Sequence, residues 1–161
     1  MKSVLISIKP KYCELIANNK KIIEVRKTKP KLNTPFKCYI YCTKEFYRKG
    51  DGYFQGKYCG KVIGEFICDT FVTDKTFGND DLFNAAACLD AATATAYCTR
   101  NKMYGWHISN LIIYNKPKEL NEFRKYLSFF DGESLNELEK AGISNIRIKK
   151  APQSWRYIEG L

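Results

Sequence analysis

Asn18-Asn19-Lys20-Lys21-Ile22-Ile23-Glu24-Val25-Arg26-Lys27 restricts the local structure of this chain more than any other stretch. Ile23 and Val25 alternate with Glu24 and Arg26, so a strand here turns its apolar pair to a core and its charged pair to the opposite face. Upstream, Pro10 to Ala17 reads as a short helix. Pro10 suits the first turn, and Tyr12, Leu15 and Ile16 form an i, i+3, i+4 apolar stripe. Asn18 and Asn19 tolerate the left-handed backbone that ends helices. A helix therefore delivers Lys20 and Lys21 to a turn, and a strand then presents a carboxylate beside a guanidinium.

Strand, Pro-led helix and Lys-x-x-Glu-x-Arg strand resemble the signature of ASCH domains, members of the PUA-like superfamily. The family pattern, roughly Gly-x-Lys-x-x-Glu-x-Arg, is matched by Asn19, Lys21, Glu24 and Arg26, with asparagine in place of glycine. Both residues accept positive φ. The resemblance continues through Lys61–Phe66, Trp106–Ser109 and Pro152–Tyr157, while residues 70–100 match no part of it. It implies an α+β fold with a PUA-like, curled, largely antiparallel β-barrel and peripheral helices. It also implies binding of RNA or a modified nucleotide. Some small ASCH proteins are amidohydrolases on acetylated cytidine, and ribonuclease activity has been attributed to others. In the amidohydrolase type a threonine nucleophile occupies the position that Glu24 holds here, which argues against that activity in this chain.

The rest of the pattern is consistent with one mixed domain over residues 1–161. Strands are expected at Val4–Ile8, Ile22–Lys27, Phe36–Thr43, Lys61–Val72, Met103–Tyr114, Ile143–Ile148 and Trp155–Ile158. Helices are expected at Asp80–Asp90, Ala91–Arg100, Glu119–Phe130 and from Ser134 to near Gly142. Residues 44–60 mix four glycines with Tyr47, Arg48, Lys49, Tyr53, Phe54, Lys57 and Tyr58. This composition suits a nucleic-acid loop or, equally, a hairpin whose aromatics cap the sheet.

Charge narrows the partner. Residues 1–65 hold 15 Lys/Arg against five Asp/Glu, whereas residues 66–161 hold 12 of each. The whole excess of +10 thus lies on the segment with the motif, as expected for an anionic partner such as RNA, or for a merely solubilising basic face. Seven cysteines without a Cys-x-x-Cys pair, and His107 as the single histidine, define no metal site. They read as thiols packed in a reducing compartment. The apolar run before Lys9-Pro10 is too short for a signal peptide or membrane span, so a soluble cytoplasmic protein with no membrane partner and no cofactor is expected.

At the motif, Glu24 can accept from an exocyclic amine while Arg26 donates to a base or phosphate. As an enzyme, the same site would use Glu24 to position water and Lys21 to stabilise developing negative charge, with Asp80-Asp81 as further acids. A plain Glu24–Arg26 surface ion pair, worth under about 1 kcal/mol, is the competing reading. Lys20, Trp106, His107 and Arg156 complete the candidate ligand-binding set. Trp106 and His107 have packing roles as their alternatives, and so do Trp155 and Tyr157.

Overall fold

The computed structural model describes residues 1–44, 58–73, 81–90, 92, 103–128, 132–143 and 146–161. The expected helix at 91–100 (residue 92 apart), most of the basic aromatic loop and Asp80 lie outside them. Among the described residues nine strands fall into two sheets, with three helices beside them. β1 (Lys2–Ile8), β3 (Phe36–Cys42), β4 (Val62–Cys68), β7 (Ser109–Lys118), β8 (Arg124–Lys125) and β9 (Trp155–Glu159) form the larger sheet, in the order β7-β4-β3-β1-β9-β8. β2 (Ile23–Arg26), β5 (Phe71–Thr73) and β6 (Tyr104–His107) form the smaller one, in the order β2-β6-β5. Among the described residues every strand pairing is antiparallel except β1 with β3. Among the described residues no pairing joins the edge strands β7 and β8, so the larger sheet remains open.

Two long apolar runs each supply both sheets. The 61–72 run breaks at Asp69 and Thr70 into β4 and β5, and the 103–114 run breaks at Ile108 into β6 and β7. At that second break the Ile108 amide donates to the Ile22 carbonyl, 2.9 Å away. Between the sheets lies the main core: Val4, Ile6 and Ile8 of β1, Phe36, Cys38, Ile40 and Cys42 of β3, and Trp106. The other face of the larger sheet is also covered. Leu5, Tyr39 and Tyr41 pack there with Phe123, Ile148 and Ile158. This double covering explains why β1 and β3 are buried along almost their whole length instead of alternating.

α1 (Pro10–Ala17) forms where expected, with Pro10 in its first turn. Its end is a Schellman motif. Asn19 adopts φ 55°, its amide donates to the Ile16 carbonyl, and the Lys20 amide donates to the Leu15 carbonyl. α2 (Asp81–Ala87) and α3 (Gly132–Lys140) are the other helices among the described residues.

The expected helix at Glu119–Phe130 is not formed over its described residues, 119–128. Leu120–Glu122 is one 3-10 turn closed by a reciprocal Glu119–Glu122 capping box, and Arg124 and Lys125 pair with Glu159 and Ile158 as β8. The Leu120–Phe123 spacing that resembled a helix is the apolar side of this turn, which drives Phe123 against Tyr39 at 5.1 Å between ring centroids. Near the expected strand at 143–148, Arg147 makes only an isolated bridge to Arg124, while Ile146 and Ile148 are buried. Among the described residues no helix is long and apolar enough to cross a membrane.

Candidate ligand-binding cleft

β2 divides its side chains as its alternation requires. Ile23 and Val25 pack with Ala87 and Met103 under α2, and Glu24 and Arg26 point away from that cluster. The carboxylate is nonetheless buried. Glu24 Oε1 lies 2.7 Å from Arg26 Nη1, and Glu24 Oε2 lies 3.4 Å from Lys21 Nζ. Lys21 precedes the strand and reaches this point from the turn set by Asn19. Its buried ammonium donates to the Ala87 carbonyl at 2.5 Å, at the C-terminal, electronegative end of α2. The same helix end holds the turn itself, because the Ile22 amide donates to the Ala86 carbonyl and Cys88 Sγ donates to the Lys20 carbonyl.

Arg26 is a crosspiece between the sheets. Its Nη2 donates to the Ser7 carbonyl of β1 at 2.5 Å, and its Nη1 also reaches the Val25 carbonyl. The fork foreseen for a base or phosphate is therefore largely committed to Glu24 and Ser7. Two polar atoms of the motif, Glu24 Oε2 and Arg26 Nε, are buried without a hydrogen-bond partner, as is Thr43 Oγ1. Groups of this kind cost stability unless something satisfies them.

Lys21, Glu24 and Arg26 line one cleft of about 350 Å³, together with Ser7, Lys9, Tyr12, Val25, Thr43, Lys44, Leu89 and Gln153. Tyr12, Val25 and Leu89 supply apolar wall; four cations face one carboxylate. Lys21 Nζ also lies 5.1 Å from the Tyr12 ring centroid. Behind Glu24, burial first and the neighbouring Cys42 second push the Cys13 thiol well above its ordinary value, which suits packing and not nucleophilic attack.

Sequence reasoning found the charged trio and missed Ser7, Lys9, Tyr12, Thr43, Lys44, Leu89 and Gln153. Tyr12 read only as part of an apolar helix stripe, and Ser7 and Thr43 carry no local pattern. Lys20 is exposed on the turn. Trp106 stands beside Glu24 across the β2–β6 pairing but is wholly buried, with ring centroids of Phe36, Phe71 and Trp155 within 6 Å (5.9, 5.7 and 5.9 Å). His107 shares the strand face of Ile23, and its Nδ1 lies 2.7 Å from Asp69 Oδ1. Arg156 is paired opposite Leu5 on β9, while Trp155 and Tyr157 extend the aromatic packing. None of these six residues lines the cleft.

The architecture that holds the cleft is an open larger sheet beside a short second one, with a Pro-led helix feeding the charged strand. Solved structures similar to this chain include those of an ASCH protein from Zymomonas mobilis. Its crystal structure is 18% identical with a TM-score of 0.57, covering 98% of this chain and 87% of its own. A tyrosine-to-phenylalanine mutant of that protein is 16% identical with a TM-score of 0.57, covering 99% and 91%. A serine-to-alanine mutant is 16% identical with a TM-score of 0.63, covering 98% and 88%. At such identities the likeness is one of fold. No protein-family model and no curated protein matches the sequence.

Proposed function

We propose that this domain binds RNA or a modified nucleotide in the Lys21–Glu24–Arg26 cleft. The observation that carries the reading is the buried Glu24 Oε2, which has the Lys21 ammonium 3.4 Å away but no hydrogen-bond partner, at the edge of an otherwise cationic pocket. A base with an exocyclic amine supplies a donor; a phosphate meets Lys9 and Lys44; the ring rests on the Tyr12 wall. Arg26 acts mainly by holding Glu24 in place, since its guanidinium bridges Glu24 and Ser7. A relation to the PUA-like barrel belongs to this reading, and two largely antiparallel sheets around a shared core support it. The buried thiols Cys13, Cys38 and Cys68, outside any disulfide, support a reducing, cytoplasmic setting.

The test is a titration of labelled single-stranded RNA and of cytidine and acetylated cytidine, followed by chromatography of the mixture. Binding without new products, weakened at least tenfold by Glu24→Gln, is the expected result. Turnover abolished by Lys21→Ala would replace binding with hydrolysis at the same cleft. Absence of binding at low salt would remove both readings.

A further inference from the structure

A cleft of about 350 Å³ lies at the small end of ligand pockets and has room for about one nucleotide, not for a strand. It does not end blindly. A second hollow of about 650 Å³ adjoins it and shares three of its lining residues, Ser7, Thr43 and Lys44. Beyond this saddle the hollow runs past Leu120 and Asn121 to Ile148, Lys149, Lys150 and Pro152. Its one carboxylate, Glu119, is 2.8 Å from Lys61 Nζ and so neutralised. Lys44, Lys149 and Lys150 are exposed, and among the described residues no ion pair engages them. At the saddle, Ser7 Oγ is taken by the Pro152 carbonyl at 2.6 Å, whereas Thr43 Oγ1 is buried and unpartnered. The boundary between the two spaces thus carries an unused hydroxyl and the Lys44 ammonium, and the far side carries those of Lys149 and Lys150, which no ion pair engages among the described residues.

We infer that the cleft and the hollow form one track for a single-stranded polynucleotide of about three or more residues. One base sits at Glu24, the backbone crosses at Thr43 and Lys44, and further phosphates lie along Lys149 and Lys150. The inference rests on the cleft's being a nucleotide site and adds that its ligand is a strand, not a free nucleoside. A chain of phosphates spaced along a groove of lysines gains affinity with length, whereas a free nucleotide fills only the cleft.

Fluorescence titrations with cytidine monophosphate, tri- and hexacytidylate, the matching deoxycytidine monophosphate and hexadeoxycytidylate, and hexaglutamate test the track, on the full chain and on its Lys149→Ala/Lys150→Ala variant. Both lysines are exposed, so the variant retains the fold. Affinity is expected to rise at least tenfold from the monophosphate to hexacytidylate. The variant should lose severalfold more affinity for hexacytidylate than for the monophosphate. Its salt dependence should become shallower by about 1.4 in log–log slope, the loss of two single-strand phosphate contacts. Length-dependent tightening in both sugar series, or in RNA alone, supports the track and tells which sugar it accepts. If the monophosphate binds but hexacytidylate binds no tighter, or the variant behaves as wild type, the track is wrong while the cleft reading stands. If no nucleotide binds, both fall. Hexaglutamate binding as tightly as hexacytidylate would reduce the hollow to an unspecific polyanion surface and overturn the inference.

Discussion

Among the individual residues, Lys21 carries the heaviest structural demand. Its ammonium is buried against the Ala87 carbonyl and the Glu24 carboxylate. Lys21→Met keeps the stem and removes the charge, leaving Glu24 buried with one cation fewer. Breaking a buried pair from one side costs about 3–5 kcal/mol. Urea unfolding should show a loss of that order, and Lys21→Met/Glu24→Gln should be less destabilised than the sum of the single variants. Strict additivity would mean that the two side chains do not interact. A second residue contributes to acid sensitivity. Burial would raise the Glu65 carboxyl, but hydrogen bonds from Lys37 at 2.7 Å and the Tyr114 hydroxyl at 2.5 Å prevail and hold it below the ordinary carboxylate value. A depressed folded-state value means that its stabilisation is complete above the unfolded value of about 4.3 and is lost as pH falls through the folded one. Glu65→Gln should therefore flatten the acid limb of a stability profile recorded from pH 7 to pH 3. An unchanged limb would assign acid sensitivity elsewhere. The motif's charged trio was legible in the sequence because charge and spacing name it. Its depth was not, because burial of Glu24 depends on α2 and β1, which lie far away along the chain.

Among the elements, those with strong local grammar formed as read. α1 has proline at its start and asparagine in the left-handed position at its end, and β2 has clean alternation. Asn19 is where the motif's geometry is set, because the Schellman turn aims Lys21 at Glu24. Asn19→Gly should leave the urea midpoint nearly unchanged, whereas Asn19→Val should cost about 1–2 kcal/mol for the left-handed backbone and weaken ligand binding as Lys21 is displaced. Equal midpoints for the two variants would show that the turn does not need positive φ. Segment 119–130 shows the opposite case. Its helical spacing covers only one turn, and pairing to β9 together with burial of Phe123 outweighs helix propensity. The strand breaks at 69–70 and 108 were equally hidden, since a run of apolar residues does not say which sheet it serves. Gly64 records another non-local demand. A Cβ there would lie 2.3 Å from the Ile112 carbonyl oxygen of β7, so Gly64→Ala should destabilise the β4–β7 pairing by about 1–3 kcal/mol in the same assay.

For the whole molecule, the uneven charge links stability and binding through one variable. The net charge of +10 comes from the first 65 residues, which supply Lys9, Lys21, Arg26 and Lys44 to the cleft; Lys149 and Lys150 extend the cationic surface from the other end of the chain. Salt acts on these charges in two ways. It screens repulsion among exposed lysines, which favours the compact state, and it competes with their release of counterions from a bound strand. If Lys9, Lys44, Lys149 and Lys150 each meet a phosphate, the log–log slope of binding against salt is about −2.8. Affinity for a hexanucleotide then falls about fiftyfold between 50 and 200 mM salt. The buried Lys21–Glu24–Arg26 cluster is screened much less, so the fold should not weaken over this range. The expected outcome is a steep loss of RNA affinity with a thermal midpoint that is unchanged or higher, measured on the same samples. A midpoint that falls together with affinity would trace the loss to unfolding, and affinity indifferent to salt would mean that the basic half of the chain does not face the phosphates.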